Sequence, residues 1–247
     1  PPARPISGRL PMELFPDIHL IDGVMSNAYL IIEPSGLTLI DSGMPGSAKS
    51  ILAYLRTLGN VPTQLSRILL THQHVDHVGG AAELAALSGA GVIAHPLDAP
   101  AIGGIEPREM PSGPLAVIFR AVLLPRLKPV TVTRRVKAGE TLPILAGDGG
   151  LRIIETPGHT RGQIAFYLPG RRLLFAGDVY RHPRGGEVAP PPRMFSRDMA
   201  QARASLAALG ALEIDASLPG HGTPLLQDAS GPVSRAVEAA GRALVHR

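Results

Sequence analysis

The residues best suited to chemistry lie in one short stretch, Thr71-His72-Gln73-His74-Val75-Asp76-His77-Val78-Gly79-Gly80. It holds three histidines and an aspartate within six residues, and it follows the apolar run 68–70, which is typical of the end of a buried strand. The alanine-rich residues 81–87 predict a helix, so the cluster lies at a strand-to-helix turn. A divalent metal is the simplest agent that makes such a cluster favourable. A solvated, histidine-rich loop is the alternative.

Three further polar residues follow predicted strands at glycine-bearing turns. They are His159 in Pro157-Gly158-His159, Asp178 after Gly177, and His221 in Pro219-Gly220-His221. A Pro-Gly pair makes a tight turn that directs the next side chain back over the edge of the sheet. Each turn alone is also a common loop. Four such sites at strand ends in one chain favour a shared metal centre.

The pattern resembles that of the metallo-β-lactamase-fold hydrolases. The resemblance spans nearly the whole chain and rests on residues that occur in the family's order: Asp41, His72-Gln73-His74-Val75-Asp76-His77, His159, Asp178 and His221. It implies an α/β (α+β) fold, namely an αββα four-layer sandwich. In that fold two mixed sheets lie between helical layers, with a dinuclear metal site at one edge.

The resemblance also implies a role for each matching residue. His72, His74 and His159 would bind the first metal, and Asp76, His77 and His221 the second. Asp178 would bridge the two ions, while Asp41 would orient a ligating imidazole, as metal-bound histidines generally require. Two divalent ions are expected, zinc in the first place, with iron, manganese or cobalt as alternatives.

Two dications close together lower the pKa of a bridging water enough to give hydroxide at neutral pH. The predicted function is therefore a metal-dependent hydrolase, in which a bridging hydroxide between two metals attacks a carbonyl or phosphoryl centre. Asp76 would shuttle a proton to the leaving group, a role that the resemblance suggests.

Departures from particular branches of the family narrow the substrate. The chain has no Cys, which excludes the β-lactamases with a cysteine ligand, and the all-histidine β-lactamases lack a bridging aspartate at the position of Asp178. Glyoxalase-type thioesterases carry a long helical C-terminal domain, whereas the chain ends at residue 247, soon after His221. The stand-alone branch that hydrolyses lactones and small esters fits best, with possible promiscuity toward phosphotriesters. Tyr180 is a candidate catalytic hydrogen-bond donor to a lactone carbonyl.

Other interpretations of the same residues stay open. Tyr180 could be a surface residue of a strand-end loop, and His182, close to Asp178, could belong to the site. The activity could be that of a mononuclear iron persulfide dioxygenase or of a glyoxalase II type thioesterase. A non-catalytic binding module on the same fold is a further alternative, although its relatives usually lose ligands.

Alternating strands and helices must position these residues. Strands are predicted at 18–21, 27–33, 37–40, 66–71, 91–94, 142–145, 151–156, 163–168, 172–176 and 216–218. Helices are predicted at 47–58, from the cluster to about 88, at 199–209 and at 233–245, while residues 1–16 are Pro-rich and predicted irregular. Asp41, which directly follows a strand, either caps a helix or supports the metal site.

The chain is predicted to be one domain over residues 1–247, with a lid-like insertion at about 95–138. Prolines interrupt this insertion, its basic residues outnumber its acidic ones, and it holds an apolar run at 115–124. A long insertion of this kind is often functional. It would shape an apolar pocket with a basic mouth, although an ordinary surface excursion is equally compatible with it.

Composition limits the partners. The net charge of +4 is spread along the chain, and aromatic residues make up only 4% with no Trp, so no nucleic acid partner is expected. No apolar run is long enough for a membrane span. We expect a small-molecule ester or lactone substrate, a cytoplasmic location and a possible homodimer. The chain starts at Pro1 without a Met, which leaves a removed targeting peptide open.

Overall fold

Two β-sheets lie face to face, and helices cover the outer face of each sheet. The structure is a computed structural model that describes residues 12–21, 24–109, 117 and 119–245. The chain forms the αββα four-layer sandwich that the resemblance implies, and the predicted fold class is confirmed.

The first sheet has seven strands in sequence order, antiparallel from β1 to β4 and parallel from β4 to β7. These strands are β1 (Met12–Phe15), β2 (Ile18–Ile21), β3 (Ala28–Glu33), β4 (Gly36–Ile40), β5 (Leu65–Leu69), β6 (Gly91–Ala94) and β7 (Arg134–Arg135). Both pairing types occur, so the sheet is mixed.

The second sheet has five strands in the spatial order β12-β11-β10-β9-β8. They are β8 (Thr141–Leu142), β9 (Leu151–Glu155), β10 (Ile164–Leu168), β11 (Leu173–Gly177) and β12 (Ala216–Pro219). Only the β11–β12 pair is parallel, so this sheet is mixed as well.

Two helices cover each sheet. On the first sheet lie α1 (Ala48–Thr57) and α3 (Ala81–Ser88), and on the second lie α5 (Met199–Ala208) and α6 (Ser230–Val245). Two single-turn helices, α2 (Val75–Val78) and α4 (Ala99–Ile102), follow strand ends. Helix α1 buries the stripe Ile51, Leu52 and Leu55, spaced as an amphipathic helix requires.

The central core lies between the two sheets. Alternate residues of neighbouring strands point inward, such as Tyr29 and Ile31 of β3 and Phe166 of β10, and they pack in one buried cluster. Tyr29 meets Phe175 edge to face, with ring centroids 5.7 Å apart. Burial of this apolar surface holds the two sheets together.

The parallel pairs determine where the candidate site lies. In the first sheet Ile40 pairs with Leu69, so Asp41 and the cluster after β5 emerge at the same sheet edge. In the second sheet Gly177 pairs with Pro219, so Asp178 and His221 emerge together. The main-chain N–H of Asn27 donates to the carbonyl of Gly220, and this hydrogen bond joins the two sheets at this edge.

Two predictions are wrong, one of an irregular segment and one of a strand. Residues 12–15, predicted to be irregular, form β1, because this tetrapeptide pairs with β2 before Pro16 ends the ladder. The strand predicted at 142–145 is only β8, because Pro143 cannot donate to the ladder and Leu145 turns into a left-handed backbone conformation with φ 51°. The last helix begins at Ser230, three residues before the predicted start.

The insertion returns to the first sheet before its predicted end. Strand β7 pairs with β6, and Val136 is buried in the core between the sheets. The described part also contains α4, a π-helical turn (Phe119–Leu123) and a 3-10 turn (Leu124–Arg126). The predicted apolar run 115–124 lies partly outside the described residues. None of the described helices is both long and apolar enough to span a membrane.

Candidate metal centre

Three histidines from two loops meet at the common edge of the sheets. His72 and His74 lie in the loop between β5 and α2, and His159 lies in the turn after β9. The ring centroids are 4.7 Å apart for His72 and His74, 4.8 Å for His72 and His159, and 4.5 Å for His74 and His159. Their ligating atoms lie within 4.8 Å of one another. We call these three residues the first metal group.

A second group lies beside the first. Helix α2 presents Asp76 and His77, and the turn after β12 presents His221. Nε2 of His221 is 3.1 Å from Oδ2 of Asp76 and 3.3 Å from Nε2 of His77. These atoms also lie within 4.8 Å of one another. We call Asp76, His77 and His221 the second metal group.

The buried carboxylate of Asp178 contacts both groups. Its Oδ2 is 3.4 Å from Nε2 of His159 and 3.4 Å from Nε2 of His221, while its Oδ1 is 3.5 Å from Nε2 of His77. Glycine is required at position 220, because a Cβ atom there would overlap Oδ1 of Asp178. All seven ligands predicted from the sequence thus come together.

Several nitrogen and oxygen atoms of this cluster are buried without hydrogen-bond partners in the described part of the chain and are therefore available as metal ligands. Nε2 of His72, Nε2 of His159 and Oδ1 of Asp178 are buried and have no hydrogen-bond partner among the described residues. Buried polar atoms are normally paired. Imidazole and carboxylate donors suit zinc, iron, manganese or cobalt, so the residues present fit divalent metals.

Asp41 orients histidines of both metal groups. Its Oδ2 accepts a hydrogen bond of 2.7 Å from Nδ1 of His77 and another of 2.7 Å from Oγ1 of Thr71. Because that hydroxyl donates to Asp41, it accepts from Nδ1 of His72 at 3.0 Å. In both imidazoles Nε2 is then the nitrogen that is available as a metal ligand, once any proton on it is displaced. Of the two roles predicted for Asp41, the structure shows support of the site.

Asp41 has a left-handed backbone conformation, with φ 58°. Aspartate adopts this conformation more readily than most residues with a side chain, and strained backbone conformations cluster at functional sites. Here it accompanies the contacts of the carboxylate with Thr71 and His77. The conformation is therefore consistent with a site that holds Asp41 in place.

Ser196 orients His159 in a similar way, although the sequence analysis did not predict a role for Ser196. Its Oγ donates to the carbonyl of Pro192 at 3.0 Å and lies 3.2 Å from Nδ1 of His159. It therefore accepts from that nitrogen and leaves Nε2 facing Asp178. No sequence motif surrounds Ser196, and only the packing of the 192–196 segment against the turn after β9 reveals it.

The profile of the family described as the Metallo-beta-lactamase superfamily matches residues 21–221 of the chain. This match covers most of the chain and spans both metal groups. The chain belongs to the metallo-β-lactamase superfamily.

Relatives and solved structures in this superfamily agree with the fold. Probable metallo-hydrolase YflN of Bacillus subtilis (strain 168) is 30% identical over 227 residues, covering 84% of this chain and 84% of that protein. Hydroxyacylglutathione hydrolase of Rhodospirillum rubrum is 32% identical over 167 residues, covering 66% of this chain and 51% of that protein. The chain thus spans about half the length of that hydrolase. The structure of a Cronobacter sakazakii metallo-β-lactamase with a HARLDQ motif has a TM-score of 0.71 at 25% identity, covering 96% of this chain and 93% of that one.

The pKa values of the histidines are shifted in opposite directions in the two metal groups of this superfamily member. Burial holds the pKa values of His72 and His159 well below the ordinary histidine value, and neighbouring histidines lower them further. Burial also lowers the pKa of His74 to about 4. The first metal group is therefore neutral at pH 7, which is the state in which imidazole binds a metal.

The second metal group carries charge. Burial alone would lower the pKa of His77, but the carboxylates of Asp178, Asp41 and Asp76 raise it to about 10. Asp178 also raises the pKa of His221. Burial opposes ionisation of Asp76, yet His77 and His221 bring its pKa below the ordinary value. A metal that binds this group must displace protons from histidine.

A cavity of about 370 Å³ opens onto both metal groups. Its apolar wall includes Leu123 and Leu124 of the insertion and Phe195, and its basic residues are Arg108 and Arg181. Nη1 of Arg108 donates to the carbonyl of Gln73, within the cluster loop. The insertion thus contributes apolar and basic residues to this cavity.

Tyr180 and His182 differ from the predicted ligands in their contacts. Tyr180 lines the cavity, but its side chain is fully buried and its hydroxyl is hydrogen-bonded to Ser217. Burial also raises the pKa of this phenol. His182 donates from Nδ1 to the carbonyl of Thr223 at 2.7 Å, which supports the loop after His221. The contact with Ser217 favours a packing role for Tyr180 over a catalytic one.

Proposed function

We propose that this protein is a hydrolase of lactones or small esters that uses two divalent metal ions, with zinc as the expected metal. One observation carries the proposal. Two groups of three ligands share the carboxylate of Asp178, and an apolar cavity opens onto both groups. A site for a single metal ion would need only one of these two groups of ligand atoms.

In this proposal the first metal group would hold one ion and the second group the other, and Asp178, which contacts both groups, would be their shared ligand. Bound ions would lower the pKa of a water molecule and polarise the acyl oxygen of the substrate. The chain's own contribution is geometric. Asp41 and Ser196 fix the imidazoles, so the ligands need little rearrangement during the reaction.

Asp76 is the proposed proton carrier. It lines the cavity. Its side chain is 23% exposed, whereas that of Asp178, the other carboxylate in contact with His221, is 9% exposed. A carboxylate at the cavity wall can receive a proton and return it to a leaving alkoxide. Its 3.1 Å contact with Nε2 of His221 keeps it beside the second metal group.

The cavity supports a compact substrate with an apolar acyl part. Its volume of about 370 Å³ is at the lower end of the range for small-molecule sites. Leu123, Leu124 and Phe195 would bury the acyl part, and Arg181 at the wall would favour a polar or anionic group at the other end. Arg108 is bonded to main-chain carbonyls and would act through the loop that it holds.

Thioester hydrolysis is a second candidate, and the relatives favour it. Several curated relatives are named hydroxyacylglutathione hydrolase, and that reaction attacks the same kind of acyl carbon. The leaving group differs, because a thiolate leaves without the proton that an alkoxide needs. The proton carrier should therefore matter less for a thioester than for a lactone.

A substrate panel with defined metal content tests both candidates. The metal-free protein is reconstituted with zinc, iron, manganese or cobalt and assayed on lactones, aryl esters, acyl-glutathione thioesters and a phosphotriester. We expect the highest kcat/KM on a lactone or ester. The Asp76→Asn substitution should lower kcat/KM more for the lactone than for the thioester. Preference for the thioester would favour the second candidate. One iron per chain together with oxygen uptake on glutathione persulfide would overturn both.

A further inference from the structure

A buried carboxylate outside the predicted ligand set joins the two loops of the first metal group. Asp98 follows β6 and precedes α4, and its side chain is fully buried. At the N-terminal end of a helix an aspartate usually accepts hydrogen bonds from that helix. Asp98 makes no such cap bond, so its carboxylate serves other partners.

Those partners lie in the two ligand loops. From the first loop, Asp98 accepts the main-chain N–H of Gln73 at 2.9 Å and its side-chain amide at 3.1 Å. From the second loop, it accepts the hydroxyl of Thr160 at 2.7 Å and the main-chain N–H of Gly162 at 2.9 Å. A Cβ at position 162 would lie 2.7 Å from Oδ1 of Asp98, so only glycine permits this approach.

The residues that Asp98 binds are neighbours in sequence of the histidines of the first metal group. Gln73 lies between His72 and His74, and Thr160 directly follows His159. Each histidine of the first metal group is therefore one residue away from a residue that Asp98 binds. Asp98 does not contact the second metal group in this way.

A buried charge is costly unless several donors compensate it. Four donors surround this carboxylate, and two of them are main-chain amides, whose positions are set by the loops themselves. The carboxylate can accept all four bonds only when the two loops are at one separation. That separation is the distance between His159 and the pair His72 and His74.

We propose that Asp98 is the positioning residue of the first metal group, setting the spacing of its two loops and thereby the metal affinity of that group alone. This inference rests on the proposed two-metal function. It assigns to Asp98 a selective effect that general destabilisation would not produce.

Cobalt(II) titration, followed by visible absorption, tests the inference in two backgrounds. His221→Ala leaves the first metal group intact, and His74→Ala leaves the second. Asp98→Asn should weaken cobalt binding about 10- to 100-fold in the first background, as loss of a supporting hydrogen-bond partner typically does. In the second background it should change binding by less than about threefold.

Glu33→Gln is the matched control, because it makes the same carboxylate-to-amide change. Glu33 is also largely buried and accepts the amide of Leu145 at 2.8 Å, but it lies at the opposite end of β3 from the site. It should leave cobalt affinity unchanged in both backgrounds. Thr160→Val removes one of the four bonds and should shift binding in the same direction as Asp98→Asn, by less, even if Asp98→Asn does not fold.

Equal weakening in both backgrounds, or no weakening in either by Asp98→Asn and Thr160→Val, would overturn the inference. In the second case wild-type protein that binds two cobalt ions would leave the proposed function intact. Wild-type protein that binds no cobalt would overturn both the inference and the proposed function.

Discussion

Oδ2 of Asp41 lies 2.7 Å from Nδ1 of His77, and both side chains are almost completely buried. The same oxygen accepts the hydroxyl of Thr71, which in turn accepts from His72. One carboxylate therefore supports a ligand in each metal group. Its removal should affect both ions, whereas a substitution at Asp98 should affect one.

Asp41→Asn should lower the affinity for metal at both groups, by about 10- to 100-fold at the second. The amide cannot accept both hydrogen bonds at the position of Oδ2 if its nitrogen faces His77. Metal retained after dialysis against a weak chelator, measured by elemental analysis, tests this. Asp148→Asn changes a carboxylate paired with Arg171 far from the cluster and is the control. Full metal retention by Asp41→Asn would contradict the role assigned to Asp41.

Ser196→Ala should weaken metal binding at the first group by about tenfold, because Nδ1 of His159 loses its acceptor. The free energy of unfolding should fall by no more than about 2 kcal/mol, since the hydroxyl makes two partly buried hydrogen bonds that contribute about 1 kcal/mol each. Competition with a chromophoric chelator measures the affinity, and urea unfolding measures stability. Ser88→Ala, which removes a hydroxyl bonded to the carbonyl of Leu84, is the control. Equal metal affinity in the two variants would refute the role of Ser196.

Tyr180→Phe separates packing from catalysis at this position. Because the phenol contacts Ser217 in the interior, we expect kcat/KM on a lactone to stay within about threefold, and stability to fall by about 1 kcal/mol. Steady-state kinetics and urea unfolding on the same preparation give both values. A loss of activity of a hundredfold or more with unchanged stability would instead establish the catalytic role predicted from the sequence.

Metal binding at the two groups should depend differently on pH. The pKa of His77 is raised to about 10, so this residue is protonated between pH 6 and 8 and must lose its proton to bind a metal. Apparent affinity at the second group should rise about tenfold per pH unit for each proton displaced. The first group has lowered pKa values and should bind almost independently of pH in this range.

Cobalt titrations at pH 6, 7 and 8 with His221→Ala and His74→Ala, which isolate the two groups, give the two slopes. A flat profile for the second group, or a steep one for the first, would show that the assigned charges are wrong.

The meeting of the seven candidate ligands at one site was predictable because each follows a strand within a short, recognisable motif. Parallel pairing of β4 with β5 and of β11 with β12 then brings them to one edge, as alternation of strands and helices leads one to expect. Alternation of strands and helices predicted only a layered α/β fold; the four-layer sandwich was implied by the family resemblance and is confirmed.

Supporting residues were not predictable in this way. Asp98 and Thr160 are 62 positions apart, and Ser196 is 37 positions from His159. Neither contact has a local signature, because it depends on how loops pack in three dimensions. Strand β1 was missed for a related reason: its tetrapeptide is a strand only because β2 offers a partner. Tyr180 was singled out by its closeness to Asp178 in sequence, which does not determine where its hydroxyl points.

The number of metal ions bound per chain tests the central claim most directly. Protein made metal-free, reconstituted and freed of excess ions should retain two divalent ions per chain by elemental analysis, together with hydrolase activity. Asp178→Ala should lose most of that activity and retain fewer ions, while remaining folded by circular dichroism. One ion per wild-type chain, or full activity and two ions in Asp178→Ala, would contradict the account.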